Sequence, residues 1–229
     1  MNHQPVENPM QYPDVAQHPT ARTFPKTVRM RQILDAATTL MVHSGSHDVS
    51  MQAIATQANV SVGLIYRYFS TKLDLVQAVI VDVLNDISSR LPDAVGTVED
   101  PIRRIAAAFE AYCRIVDERI DAVVLTYRET KTLDRDGREL MKRLEVEAAR
   151  PLRIAIADAV DAELLRPVDA DLLAMDMLGL ANNWALKHWF YRSRVSFAGF
   201  VRHQQATILS GVMQPEHRDE YTDLLQSAD

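Results

Sequence analysis

Residues 50–75, SMQAIATQANVSVGLIYRYFSTKLDL, restrict the fold of this chain more than any other stretch. Ser50 stands where its hydroxyl can accept from the free N–H groups that open a helix. Ile54, Ala55 and Ala58 follow at helical spacing and supply small and apolar packing positions. Asn59 then marks a turn, because asparagine tolerates the left-handed backbone better than almost any residue except glycine. Val60 plugs the corner and Ser61 caps a second helix. Two capped helices joined by so short a turn form a helix-turn-helix, a unit whose second helix can enter the major groove of DNA.

The same residues resemble the DNA-binding domain of TetR/AcrR-type transcriptional regulators. The resemblance rests on Ile54-Ala55, Asn59-Val60-Ser61, Tyr66-Arg67-Tyr68-Phe69 and Lys72-Leu73-Asp74-Leu75, in register over about fifty residues, 26–75. Two positions depart from the family pattern. Asn59 replaces the usual glycine of the turn, and Leu64 replaces a common threonine of the recognition helix. The resemblance implies an all-α protein with an N-terminal three-helix DNA-binding domain and a C-terminal helical domain for effector binding and dimerisation.

Composition agrees with an all-helical chain. The 229 residues are 47% apolar with only seven glycines, and the long periodic stretches are helical rather than alternating. Apolar runs are broken by charge before a membrane-spanning length, so no membrane partner is expected. The start of the chain lacks a basic segment followed by an apolar one, and the single cysteine, Cys113, allows no internal disulfide. A cytoplasmic protein is the expectation. The net charge of −6 is unevenly spread: residues 22–72 carry six Lys/Arg against two acidic side chains, a net +4, which leaves −10 elsewhere. One end of the molecule should therefore attract phosphate and the rest repel it.

The organisation reads as a polar, proline-bearing tail over 1–24, a helix-turn-helix domain over 25–75, a helical effector-binding and dimerisation domain over 76–213, and a C-terminal tail over 214–229. Pro25 and Lys26 open the first helix, with Val28, Ile33, Ala36, Ala37, Leu40 and Met41 toward the core, and it ends at Ser44-Gly45. A helix over 72–91 should stop at Pro92. Another begins with the cap Asp100 and first-turn Pro101. Helices follow over 121–130 and 136–165, the latter kinked or broken at Pro151. The last two major helices run from Asp169 or Asp171 to about 191 and, after the cap Ser196, over 197–212.

Candidate DNA contacts are Ser61, Val62, Gly63, Leu64 and Arg67 at the start of the second motif helix, with Ser50 and Gln52 on the preceding one. Arg67, the only long cation of the second motif helix, suits a guanine edge or a phosphate. Leu64 or Val62 suits a thymine methyl. The resemblance adds Tyr66, Tyr68 and Lys72 as phosphate contacts, whereas Phe69 reads as core. The target is double-stranded operator DNA, and pairing with a second copy of the chain would double the readout across a palindrome.

No phosphate loop, nucleophile elbow or metal-spaced His/Cys cluster stands out in the C-terminal two-thirds, so no cofactor, no metal and no enzymatic activity are expected. A helical enzyme with a fused DNA-binding domain is the rival reading, and it lacks paired catalytic groups. The acidic groups Asp117-Glu118, Glu145/Glu147 and Asp158-Asp161-Glu163 read as solvated faces. Candidate effector contacts are Phe109, Tyr112, Tyr127, Arg128, Asn183, Trp184 and His188, with Asn182 a polar residue in an otherwise apolar helix. Segments 127–133 and 183–197 resemble a subgroup of the family that responds to acyl-coenzyme A thioesters, which implies a small organic effector of that kind. Leu172, Leu180, Trp189 and Leu209 are candidate dimer contacts on the last two major helices. The function expected is a homodimeric repressor released from its operator by that effector; a constitutive DNA-binding protein of the same fold is the alternative.

Overall fold

The structure, a computed structural model, describes residues 28–226. The expectations for the 1–24 tail and for Pro25 and Lys26 lie outside these residues. Eleven α-helices follow one another among the described residues, and the only strand-like pairing there is one bridge, Leu165 with Met213. The chain starts with α1 (Val28–Ser44), α2 (Met51–Gln57) and α3 (Val62–Tyr68). Gly45 ends α1 at φ +83°, where a side chain would be strained. Ser50 Oγ accepts from Ala53 N at 3.1 Å, and Ser61 Oγ accepts from Leu64 N at 3.2 Å. Between these caps Asn59 takes φ 52°, the left-handed turn expected from its chemistry. Ile33, Ile54, Ile65 and Phe69 form the buried centre of the three helices. Val28 faces solvent at 77% exposure, because it opens the helix on the side away from Ile33 and Ala37.

Helix α4 (Lys72–Val95) joins this head to the rest. Thr71 and Asp74 form a reciprocal capping box that fixes its start. The helix does not stop at Pro92, which lies inside its last turn. Only one backbone hydrogen bond is forfeited there, and Gly96 N still donates to the Pro92 carbonyl at 2.9 Å. Along its length α4 packs against α1 and then against α5 (Pro101–Glu118), α6 (Ile120–Glu129) and α7 (Arg135–Asp161). α7 likewise runs unbroken through Pro151 and ends at Asp161, short of the expected 165, where Glu163 turns left-handed at φ 58°. α8 (Ala170–Leu186) starts at Asp169, whose carboxylate accepts from Asp171 N and Leu172 N at 3.0 Å. It stops earlier than expected, at Lys187, and a separate short α9 (His188–Tyr191) follows.

α10 (Phe197–Val212) carries the Ser196 cap. The segment after it is no free tail up to Gln226. A 3-10 turn (Pro215–Tyr221) and α11 (Thr222–Leu225) fold back onto α5. Tyr221 is buried and donates to Asp100 Oδ2 at 2.7 Å, while Arg103 pairs with Asp223 at 2.8 Å. One buried cluster extends from Met30 to Tyr221, so head and body share a continuous apolar interior. Cys113 is fully buried within it, and burial pushes its thiol above the ordinary range.

Candidate functional site

Two surfaces gather the candidate residues. The first is the outer side of α2 and α3. Ser50, Gln52, Ser61, Gly63, Tyr66 and Arg67 are exposed there, and Leu64, Val62 and Tyr68 are half-buried. Period and packing explain the split: Ile65 and Phe69 point inward, so their neighbours at 63, 66 and 67 point outward. A Cβ on Gly63 would meet nothing within 4 Å, which leaves its backbone open to close approach. Arg67 lies 5.7 Å from the Tyr68 ring and has no carboxylate partner among the described residues. Tyr66 keeps 53% of its surface and is not core. Lys72, which the resemblance places at a phosphate, is also tied to the protein itself. Its ammonium donates to the carbonyls of His47 at 2.8 Å and Val49 at 3.0 Å, which ties the α1–α2 turn to the start of α4. An ammonium has three N–H donors, so one remains for an anion.

The second is a cavity of about 230 Å³ enclosed by five helices. α4 contributes Val83, Leu84 and Ile87, α5 Tyr112, α6 Val123, Thr126 and Tyr127, α7 Glu145 and Ala148, and α8 Met175, Leu178, Gly179 and Asn182. Tyr127, Met175 and Gly179 are exposed, so the cavity opens beside them. Asn182 sits at its polar end: it accepts from the Tyr112 hydroxyl at 3.2 Å and donates to the Tyr127 hydroxyl at 2.9 Å. Burial raises the pKa of both phenols. It also raises that of the half-buried Glu145 carboxyl, and no cation stands against it among the described residues.

Of the effector residues expected from sequence, the cavity brings together Tyr112 and Tyr127 only. Phe109 is fully buried behind them. Trp184 packs among His188, Tyr191, Phe197 and Phe200, and its indole N–H donates to Asp117 at 2.7 Å. His188 belongs to that aromatic cluster, and Asn183 points off the cavity side of α8. Arg128 is turned toward the head, where it donates to the Val42 carbonyl at 2.9 Å. Of the acidic groups read as solvated faces, Glu118, Glu147, Asp161 and Glu163 are exposed, while Asp117 and Glu145 have inward roles. Asp117 holds Trp184, Glu118 pairs with Arg90 at 2.6 Å, Asp158 pairs with Arg104 at 2.6 Å, and Glu145 lines the cavity. Glu145 was legible in one respect: it interrupts the buried stripe Met141, Ala148, Leu152, Ile156 at helical spacing.

Three contacts tie the cavity helices to the head. The two residues after Tyr127 are Arg128, bound to Val42, and Glu129, buried and accepting from Ser46 Oγ at 2.6 Å. Asp82 of α4, also buried, pairs with Arg119 at 2.8 Å and with Arg31 of α1 at 3.4 Å. α8 and α9 also leave exposed apolar residues: Leu172 at 66% exposure, Trp189 at 70%, Met175 beside the cavity mouth and Phe190, with Leu180 half-buried. Leu209 does not join it. At 1% exposure it is core of its own chain, with Met177, Trp184 and Phe200.

Comparison with known proteins fits this arrangement. Residues 33–79 match the family described as bacterial regulatory proteins, tetR family, and residues 98–193 match the tetracyclin repressor-like C-terminal domain. The chain is 38% identical over 181 residues to the HTH-type transcriptional regulator HbdR of Aromatoleum sp. (strain CIB), covering 78% of this chain and 79% of that one. A 94-residue stretch is 34% identical to the HTH-type transcriptional activator FasR of Mycolicibacterium smegmatis (strain ATCC 700084 / mc(2)155), covering 41% of this chain and 43% of FasR. Among solved structures, AibR in complex with isovaleryl coenzyme A and operator DNA superimposes with a TM-score of 0.67 at 22% identity, over 80% of this chain and 97% of AibR. The chain belongs to the TetR family of bacterial regulatory proteins and is a DNA-binding transcriptional regulator, not an enzyme. No described helix is long and apolar enough to cross a membrane.

Proposed function

We propose that the protein is a homodimeric, cytoplasmic repressor that leaves its operator when a small organic effector enters the cavity between α4 and α8. The head of residues 25–75 reads DNA through Arg67 and the exposed start of α3, with Ser50, Gln52, Tyr66 and the remaining Lys72 donor on the backbone. Residues 76–213 hold the effector and the dimer contact, the latter through Leu172, Leu180 and Trp189. The observation that carries the reading is the cavity's polar end, Tyr112–Asn182–Tyr127, set directly before the clasp residues Arg128 and Glu129. A solid body would favour the constitutive alternative; a cavity with convergent hydrogen-bonding groups favours a sensor.

The lever has two arms. An effector that displaces Tyr127 moves α6, and with it the Val42 carbonyl in the last turn of α1, held by Arg128, and the Ser46 hydroxyl of the α1–α2 turn, held by Glu129. α4 carries cavity residues at 83–87 and the Lys72 tie at its start, so it shifts the head from the other side. Such a shift changes the spacing of two recognition helices, which must lie roughly 34–36 Å apart to occupy successive grooves. The effector class proposed is an acyl-coenzyme A thioester, the class present in the AibR complex with isovaleryl coenzyme A and suggested by segments 127–133 and 183–197.

A thermal-shift screen of acyl-coenzyme A thioesters, free acids and apolar drugs, followed by calorimetry with and without operator, tests this. Coupling by linkage requires operator to weaken effector binding by the same factor as effector weakens operator binding, typically 5–150-fold. Equal effector affinity with and without DNA would remove the regulatory role of the cavity.

A further inference from the structure

The cavity has an unusual charge inventory for a pocket that would meet organic acids. Its lining contains one ionisable carboxyl, Glu145, and no lysine, arginine or histidine. Arg128, the cation that sequence places beside Tyr127, is committed to the Val42 carbonyl outside the cavity. Glu145 is half-buried and makes no ion pair among the described residues. The other polar groups are hydroxyls and an amide. The Tyr127 hydroxyl accepts from Asn182 and so keeps its own proton to donate. Asn182 has a second amide proton, since it uses one toward Tyr127. These are groups for a neutral oxygen. A carboxylate brought here would lose water, gain no counter-ion and face Glu145 in a medium of low polarity, where like charges are costly.

Size adds a second constraint. A cavity of about 150 Å³ holds a benzene molecule, so about 230 Å³ takes one aromatic ring or a short branched acyl group. A nucleotide-bearing carrier cannot fit and must remain outside the mouth formed by Tyr127, Met175 and Gly179.

Resting on the effector reading above, we propose that Glu145 is a specificity-determining residue: it makes the cavity accept a small acyl or aryl group only when its carboxyl is masked as a neutral thioester, ester or amide, and reject the free acid. The cell's unactivated acid is then invisible to the regulator, and only the product of a carboxyl-activating reaction reports. The raised pKa of Glu145 agrees with its lack of any partner cation.

The test is calorimetry with matched pairs that differ in charge: benzamide against benzoate, and isovaleramide against isovalerate, with isovaleryl-coenzyme A as the carrier-bearing arm. The unaltered protein should bind each amide at least 10-fold more tightly than its acid. Glu145→Gln should lower that amide-to-acid ratio at least 10-fold, and Glu145→Ala should do the same if the Gln variant folds poorly. Glu145→Asp, which keeps the charge, should retain the preference; a purely structural role would move the ratio in all three variants alike. Equal binding of amide and acid by the unaltered protein, or an unmoved ratio in both Gln and Ala variants, would overturn the assignment while leaving the effector cavity standing. Failure of amides, acids and isovaleryl-coenzyme A alike to bind would overturn the cavity's sensor role and this inference with it.

Discussion

The head and the body place their working groups by different physics. In α2 and α3 the frame is local: a serine cap, a left-handed asparagine and a second serine cap within twelve residues, 50–61. The groups proposed to meet DNA lie on the outside of that frame, exposed on α2 and α3. In the body the cavity draws its lining from five helices, and 70 residues separate Tyr112 from Asn182. Substitutions on the outer face of α3 should therefore change function with little change in stability. Those within the body should change both, unless they fall on its outer face.

The sharpest break in that comparison uses two leucines of the body. Leu209→Asp places a charge in a fully buried position and should prevent folding; even Leu209→Ala should cost about 2–5 kcal/mol in denaturant titration. Leu172→Asp, combined with Trp189→Glu, should alter monomer stability by only about 0.5 kcal/mol per site. It should nevertheless give monomers in sedimentation and lose most operator affinity. A doubly charged variant that still sediments as a dimer would move the interface away from α8 and α9.

Arg67→Ala probes the head. If its guanidinium reads a guanine, operator binding should weaken by about 1–3 kcal/mol and specificity should relax at one position. If it meets only phosphate, all sequences should weaken alike and the salt dependence should flatten. Thermal stability should barely move in either case, because Arg67 is exposed and, among the described residues, pairs with no carboxylate. Unchanged affinity for operator and random DNA would take Arg67 out of the interface.

The smallest effect expected is a pH-dependent one at Glu145. Its folded pKa is raised by burial, so the folded state holds the proton more strongly than the unfolded chain. The neutral carboxyl is favourable to the fold at low pH, and that contribution is lost as pH rises through the folded pKa. Glu145→Gln should therefore be slightly more stable than the unaltered protein near neutrality. The two melting curves should converge below the unfolded carboxyl's value of about 4.3. A gap that persists unchanged at low pH would mean that the carboxyl's ionisation has no part in it.

How much was legible follows the same division. Helix starts are the most legible feature, because a cap is one side chain acting two or three residues away: Ser50, Ser61, Asp100 and Ser196 cap as expected, and of Asp169 and Asp171 the first does. Helix ends were read less well. Pro92 reads as a stop and Pro151 as a kink or break, yet α4 and α7, packed against their neighbours, continue through both despite one absent N–H each. In the later helices the exposure of aromatic residues is not legible, although Phe69 and, in α1, Ile33, Ala36, Ala37 and Met41 are buried as expected. Trp184 and Trp189 stand five positions apart in one apolar segment, and one is core while the other faces solvent.

By itself the sequence determined the helix-turn-helix, the family it resembles and the outward face of α3, since turn chemistry and helical period act over a few residues. Tertiary structure alone decided that Tyr112, Asn182, Tyr127 and Glu145 share a cavity and that Arg128 does not. It also decided that Leu209 is core while Leu172 is surface. Those assignments depend on which helix faces which, and a periodic apolar stripe is the same whether its partner is another part of the chain, a ligand or a second copy.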